Sequence, residues 1–294
     1  MSLYRSSFWC AVCLFCSLLM MNTGTTIAAE PAKQELILGV FPFLPVSNLE
    51  SIFAPVAAEI SDDLDRPVKL RLTSTYDAFI TTVQDEGFDI VHIHPFDYVR
   101  YGRPNGYIPL VARSEKLFAQ FSVKKGSAIA KISSLKGKRI GTPPRTGAVT
   151  YLALDALQKA GLSPEKDLKI TNFPNHFSCL QQLQIGNIDA CATSSSTLKT
   201  FESQFGLQFK RIGQSISISH TLFAAHKRIP LKEREQIRAS LLGTPLEQVD
   251  PKLRQLFIES ANTTTGNYFK AVTDRDYNPA RQILKRLGGS LSHH

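Results

Sequence analysis

The chain has 294 residues, of which 43% are hydrophobic and 20% charged, so it holds enough apolar material for more than one core. Its 34 Lys and Arg against 25 Asp and Glu give a formal charge of +9, which fits an anionic partner better than a cationic one. Nucleic acid is disfavoured as that partner, because there is neither a dense Lys/Arg run nor a nucleic-acid-binding motif.

The first 29 residues read as a secretory signal peptide: Arg5 precedes the apolar run Phe8 to Met21, and a polar stretch leads to Ile27-Ala28-Ala29. That run is shorter than the roughly 18 to 20 residues of a bilayer span, and no later segment approaches one. Export to the periplasm is therefore expected, with cleavage near Ala29. Cys10, Cys13 and Cys16 follow Trp9, Val12 and Phe15 instead of small residues, so no lipid anchor is expected. Without the leader, 33 basic residues face 25 acidic ones, a net +8. Two cysteines then remain, Cys179 and Cys191, in a compartment where a disulfide persists.

Beyond a polar junction, Leu36 to Val40 reads as a short buried strand broken by Pro42 and Pro45. The stretch from Ser47 repeats apolar residues at helical spacing, with Ser47 or Asn48 as its expected cap. A strand over Val68 to Ser74, a helix from about Tyr76 to Glu86 and a strand over Phe88 to Ile93 follow. Strand alternating with helix predicts a parallel sheet with crossovers. The pattern restarts with a strand at Phe118 to Lys125, another around Lys138 to Thr142, and an amphipathic helix ending at Gly161. Strand, helix and strand continue through DLKITNF, HFSCLQQLQIGN and IDACATSS. Around His220 to Lys227 the chain crosses back, and the remainder reads as mostly helical.

Two α/β lobes joined by two crossing segments are therefore expected: residues 30–115 with 220–294, and an inserted lobe 116–219. Open α/β sheets bind ligands at the carboxyl ends of their strands, so the cleft is expected where those ends face one another. The stretch FDIVHIHPFDYVRY, which ends a strand in His94, Phe96 and Tyr98, is expected to line it.

The strongest device for holding an anion is GTPPRTGAVTYLALDAL, where a strand turns into a helix whose free N–H groups point outward. Arg145, Thr146 and Gly147 sit in that turn, and Arg145 offers a fork of donors. Thr75 and Tyr76 occupy a second strand-to-helix turn, as capping groups or ligand contacts. His176 precedes a helix, where its imidazole can donate to a ligand. Cys179 and Cys191 lie at ends of one α/β unit that come together, so a disulfide is expected, the alternative being a pair of packed thiols. His92 and His94 are spaced as two residues on one strand face, yet no HxxxH or CxxC spacing supports a metal, and none is expected. A Ser/His/Asp hydrolase lacks its GxSxG elbow, so no catalysis is expected.

Together these motifs resemble the phosphate/phosphite/phosphonate solute-binding proteins of ABC transporters, over nearly all of the mature chain. GVFPFLP, with Phe41 and Pro42, is similar to the family's opening strand and loop. TSTYDAFI and FDIVHIHPFDYVRY are similar to the segments that supply ligand tyrosines, here Tyr76 and Tyr98, with Asp97 where serine is usual. SSLKGKRIGTPPRTGAV resembles the strand and anion loop, and NHFSCLQQLQIGNIDACA the segment that gives a histidine and an aspartate, here His176 and Asp189. YFKAVTDRDYNPARQIL resembles the closing structural motif. The resemblance implies an α/β type II periplasmic binding fold, no cofactor, and a monomer that closes by hinge motion over a small ligand and docks on an inner-membrane permease. Pro144-Arg145-Thr146-Gly147 departs from the family's Ser-Thr-Ser-Gly, losing two hydroxyl donors while adding a guanidinium. Phe41, Phe43, Phe96 and Phe177 add apolar area, so a hydrophobic or lipid-like ligand rivals the oxyanion. A signalling role on a membrane sensor kinase or cyclase is the alternative to transport.

Overall fold

The computed structural model describes residues 34–243 and 268–288; the expected leader and the segment 244–267 lie outside the described residues. Two sheets organise the chain, and each follows from the alternation of apolar strands with one-faced helices.

The first sheet has the order β13-β4-β12-β3-β1-β2. Its parallel part is β1 (Leu36–Val40), β2 (Val68–Leu72) and β3 (Ile90–Ile93), with β1 in the middle. Leu38 and Val40 are fully buried there. Helix α1 (Val46–Leu64) covers one face with Leu49, Ile52, Phe53, Ala57, Ile60 and Leu64, a stripe at intervals of three and four residues. Neither Ser47 nor Asn48 caps it. The helix starts at Val46, and Pro45 contributes only its carbonyl, which accepts from the N–H groups of Asn48 and Leu49. Helix α2 (Tyr76–Gln84) crosses between β2 and β3, capped by Thr75, whose hydroxyl accepts from the Ala78 N–H at 3.2 Å. After β3, α3 (Pro95–Asp97) runs into one wide turn at Tyr98–Gly102. Strands β4 (Tyr107–Arg113), β12 (Leu222–His226) and β13 (Phe269–Ala271) complete the sheet.

The second sheet runs β10-β6-β9-β7-β8. Its strands are β6 (Ala119–Lys124), β7 (Arg139–Thr142), β8 (Lys169–Asn172), β9 (Ala190–Ser194) and β10 (Phe209–Gln214). Helix α4 (Ala148–Lys159) joins β7 to β8, α5 (His176–Ile185) joins β8 to β9, and α6 (Ser195–Phe205) joins β9 to β10. Gly141 in β7 is required by close packing. A Cβ there would lie 2.4 Å from Ile188 Cδ1 and 2.8 Å from Cys179 Sγ, too close for any real side chain.

Short segments β5 (Lys116–Leu117) and β11 (Ile218–Ser219) pair antiparallel between the sheets. They fix which ends meet. β12 is antiparallel to both β3 and β4, so β4 ends beside the carboxyl end of β3, and β5 follows directly. On the far side β6 begins at Ala119, opposite Ser194 at the carboxyl end of β9. The crossings thus link the carboxyl ends of both sheets.

The C-terminal helix packs against the second sheet's helices. In helix α7 (Asn278–Leu287), which the expected division assigns to the first lobe, buried Ala280, Ile283 and Leu287 join a core cluster with Leu152, Ala156 and Leu157 of the second. Polar groups reinforce the join. Arg286 Nε donates across it to Asp155 Oδ1 at 2.7 Å, while Lys159 Nζ, from the same helix as Asp155, lies 2.9 Å from Oδ2. The apolar stripe of the C-terminal helix needs a partner, and the exposed flank of α4 supplies it.

Candidate functional site

Three strands of the second sheet deliver the chemistry to one edge. β7 ends at Thr142 and passes through Pro143 to Gly147 into α4; β8 ends at Asn172 and leads to His176; β9 ends at Thr193 and Ser194. The turn is held from inside. Asn172 Nδ2 donates to Thr142 Oγ1 at 2.6 Å, and Thr150 Oγ1 donates to the Pro144 carbonyl at 3.0 Å. Helices α5 and α6 carry side-chain caps: Asn175 accepts from the Ser178 N–H at 2.8 Å and Ser194 from the Thr197 N–H at 3.3 Å. Helix α4 begins after Gly147 with no side-chain cap. The N–H groups of Ala148 and Val149, which have no acceptor one turn back, are left aimed out of the helix with its dipole behind them. Arg145 stands exposed just before them, and Thr146 and Gly147 are half-buried. A cavity of about 260 Å³ runs along the flank of α4 and the edge strand β8, and Arg145 sits on its rim.

His176 adds a directed donor. Its Nδ1 accepts from Thr193 Oγ1 at 2.6 Å and from the Ser194 N–H at 3.3 Å, so in the neutral ring the hydrogen resides on Nε2. Burial lowers its pKa to about 4, which keeps the ring neutral and Nε2 a donor at pH 7. Helix α5 is tied to β9 by a disulfide between Cys179 and Cys191, with Cα atoms 6.1 Å apart.

The first lobe presents a different surface. Tyr76 donates its hydroxyl to Asp97, whose Oδ2 is also 2.8 Å from His94 Nε2. Burial, then the nearby Asp97 charge, raises the Tyr76 pKa far above its ordinary value, so the phenol stays protonated. Phe41 and Phe43 stack with ring centroids 4.7 Å apart, and Phe41 meets the His94 ring edge-on at 5.6 Å. The two lobes touch through Phe96, whose ring lies 4.7 Å from that of Tyr151 in α4, and through Arg100, which donates to the Tyr151 hydroxyl at 2.9 Å.

Several expected site residues are placed elsewhere. Asp189 sits at the amino end of β9, on the edge away from α4's first turn. There it accepts from the Arg139 N–H and guanidinium, both at 2.8 Å, and the guanidinium bond holds its pKa below the usual carboxylate range. Tyr98 is fully buried, packs on Tyr277 and donates to Asp274 at 2.6 Å, so its hydroxyl points into the first lobe. Phe96 is fully buried in the contact between lobes. Thr75 spends its hydroxyl on the α2 cap. Tyr76 and His94 lie at the expected edge, but the Tyr76 hydroxyl and His94 Nε2 are engaged with Asp97. The residues not anticipated as site groups are Asp97, Tyr151 and Thr193. Asp97 lay within a stretch already singled out; Tyr151 and Thr193 carry no local signal.

The family model described as the periplasmic substrate-binding protein of phosphonate ABC transporters matches residues 38–277. This chain belongs to that family. Solved relatives share its type II periplasmic binding fold. Phosphonate-binding PhnD1 of Prochlorococcus marinus, solved with methylphosphonate, is 18% identical with a TM-score of 0.67, covering 86% of this chain and 98% of its own. The binding component of a Pseudomonas aeruginosa phosphonate transporter is 15% identical with a TM-score of 0.64, covering 85% of each chain. The aliphatic sulphonate binding protein SsuA of Escherichia coli is 12% identical with a TM-score of 0.61, covering 87% of this chain and 92% of its own. Membership makes the protein the periplasmic, ligand-capturing component of an ABC transporter, working with a membrane permease. Within the described residues, no helix is long and apolar enough to cross a membrane.

Proposed function

We propose that the protein captures a phosphonate-type oxyanion between its lobes and delivers it to a membrane permease. One observation carries this reading: α4 alone among the helices starting at the carboxyl edge of the second sheet lacks a side-chain cap, and its free N–H pair follows Arg145 and Thr146 in the same turn, while His176 opens the helix after the neighbouring strand β8. A tetrahedral oxyanion satisfies those donors together. The guanidinium replaces the hydroxyls missing from the family's loop with charge-assisted bonds, each stronger than a neutral one. Closure rotates the lobes about the two crossing segments, bringing the Phe41, Pro42 and Thr75 edge over the ligand.

Titration calorimetry with methylphosphonate tests this. Arg145→Ala and His176→Phe are each expected to weaken binding by about tenfold or more, as the loss of a hydrogen bond to a charged group requires. Unchanged binding in both variants, or no binding of any phosphonate or of phosphate to the native protein, refutes the assignment.

A further inference from the structure

The two jaws of the site are chemically unequal. All the uncommitted donors described above lie on the second lobe. The facing edge of the first lobe carries aromatic rings, Phe41 and Phe43 stacked and His94 edge-on to Phe41, and a buried carboxylate, Asp97, that already accepts from Tyr76 and His94. Ring faces carry negative partial charge, and a carboxylate repels phosphoryl oxygens, so this edge disfavours an oxygen of the ligand. Inorganic phosphate bears oxygen on every side. A phosphonate bears carbon on one.

We infer that the ligand is an organophosphonate with a flat apolar substituent, preferably aromatic, which lies against Phe41 and Phe43 while its oxygens sit on the second lobe. The inference rests on the oxyanion reading above and adds the substrate class. The two rings are well suited to this use. They are half-buried and fixed in advance. Phe41 N–H donates to the His92 carbonyl at 3.1 Å, and Phe43 N–H donates to the Phe41 carbonyl at 3.0 Å across a tight turn at Pro42. Phe43 is braced behind by Phe53, edge-on at 6.3 Å. A ring held in this way loses little freedom when a ligand stacks on it. Buried contacts link the rings to α4: Phe41 meets His94, His94 meets Asp97, and the adjoining Phe96 packs on Tyr151. An unpartnered, buried Nδ1 on His94 lies in the same wall.

Calorimetry with phenylphosphonate, methylphosphonate, 2-aminoethylphosphonate and inorganic phosphate decides the matter. Phenylphosphonate is expected to bind about tenfold or more tighter than methylphosphonate, and phosphate weakest. Phe41→Leu is expected to shrink the phenyl advantage, read as the ratio of the phenyl- and methylphosphonate affinities, to about threefold or less; Phe43→Leu is a second variant should the first fail to fold. Equal affinity for phenyl- and methylphosphonate, tighter binding of phosphate or of the aminoethyl compound, or an equal effect of Phe41→Leu on all ligands overturns the aromatic assignment and leaves the oxyanion reading intact. Failure of every compound to bind overturns both.

Discussion

His92 makes the strongest case for a measurement, because its surroundings dictate both the sign and the size of the effect. Its ring is almost wholly buried, 4.8 Å from Phe223, 5.0 Å from Phe53 and 5.4 Å from Phe41. Burial first, and the Arg113 charge second, lower its pKa to about 3, against 6.5 for an ordinary histidine. A histidine with a depressed folded-state pKa favours the folded form fully above the unfolded value and progressively less as the pH falls toward the folded one. Between pH 7 and pH 4.5 the unfolded chain takes up nearly one proton that the folded chain refuses, which removes about 2.5 kcal/mol of stability. His92→Phe replaces the imidazole with a ring that does not titrate, so its urea midpoint is expected to lose correspondingly less between those two pH values. His176 and His220 are also lowered by burial, so wild type and variant are compared by difference. Equal loss of stability in both proteins refutes the argument. So does a slope of the opposite sign.

Other consequences follow from particular contacts. Cys179→Ser with Cys191→Ser opens a loop of sequence separation 12 and is expected to cost about 3 kcal/mol, read as a lower urea midpoint; native protein unmoved by dithiothreitol counts against this. Asp189→Ala removes a partly exposed pair with Arg139 and is expected to cost about 1 kcal/mol while leaving oxyanion affinity unchanged; a tenfold loss of affinity would return Asp189 to the site. Tyr98→Phe removes the hydroxyl that donates to Asp274, so a loss of about 1.5 to 3 kcal/mol without altered ligand affinity is expected from thermal melts and calorimetry.

Much of the architecture was legible in the chain. The strands at Leu36–Val40 and Arg139–Thr142 and the helix Ala148–Lys159 follow from short apolar runs, glycine and proline punctuation and helical periodicity. So does the glycine entry to α4, because a helix start without a side-chain cap is local chemistry. Strands β4 and β10 and helix α6 were harder to read. β4 carries Pro109 within it, and α6 opens in a run of Ser and Thr whose meaning depends on the strand before it.

What the sequence by itself determined was the alternation of elements, the turn that leaves α4's amides free, and the aromatic residues beside the first strand. All of these depend on neighbours a few positions apart. Direction was decided by tertiary structure. Whether Tyr98 faces the cleft or Asp274, whether Asp189 serves a ligand or Arg139, and which lobe receives the closing helix depend on partners 50 to 176 positions away. A hydroxyl or carboxylate satisfies whichever donor or acceptor the fold brings within about 3 Å, and local sequence carries no record of that distance.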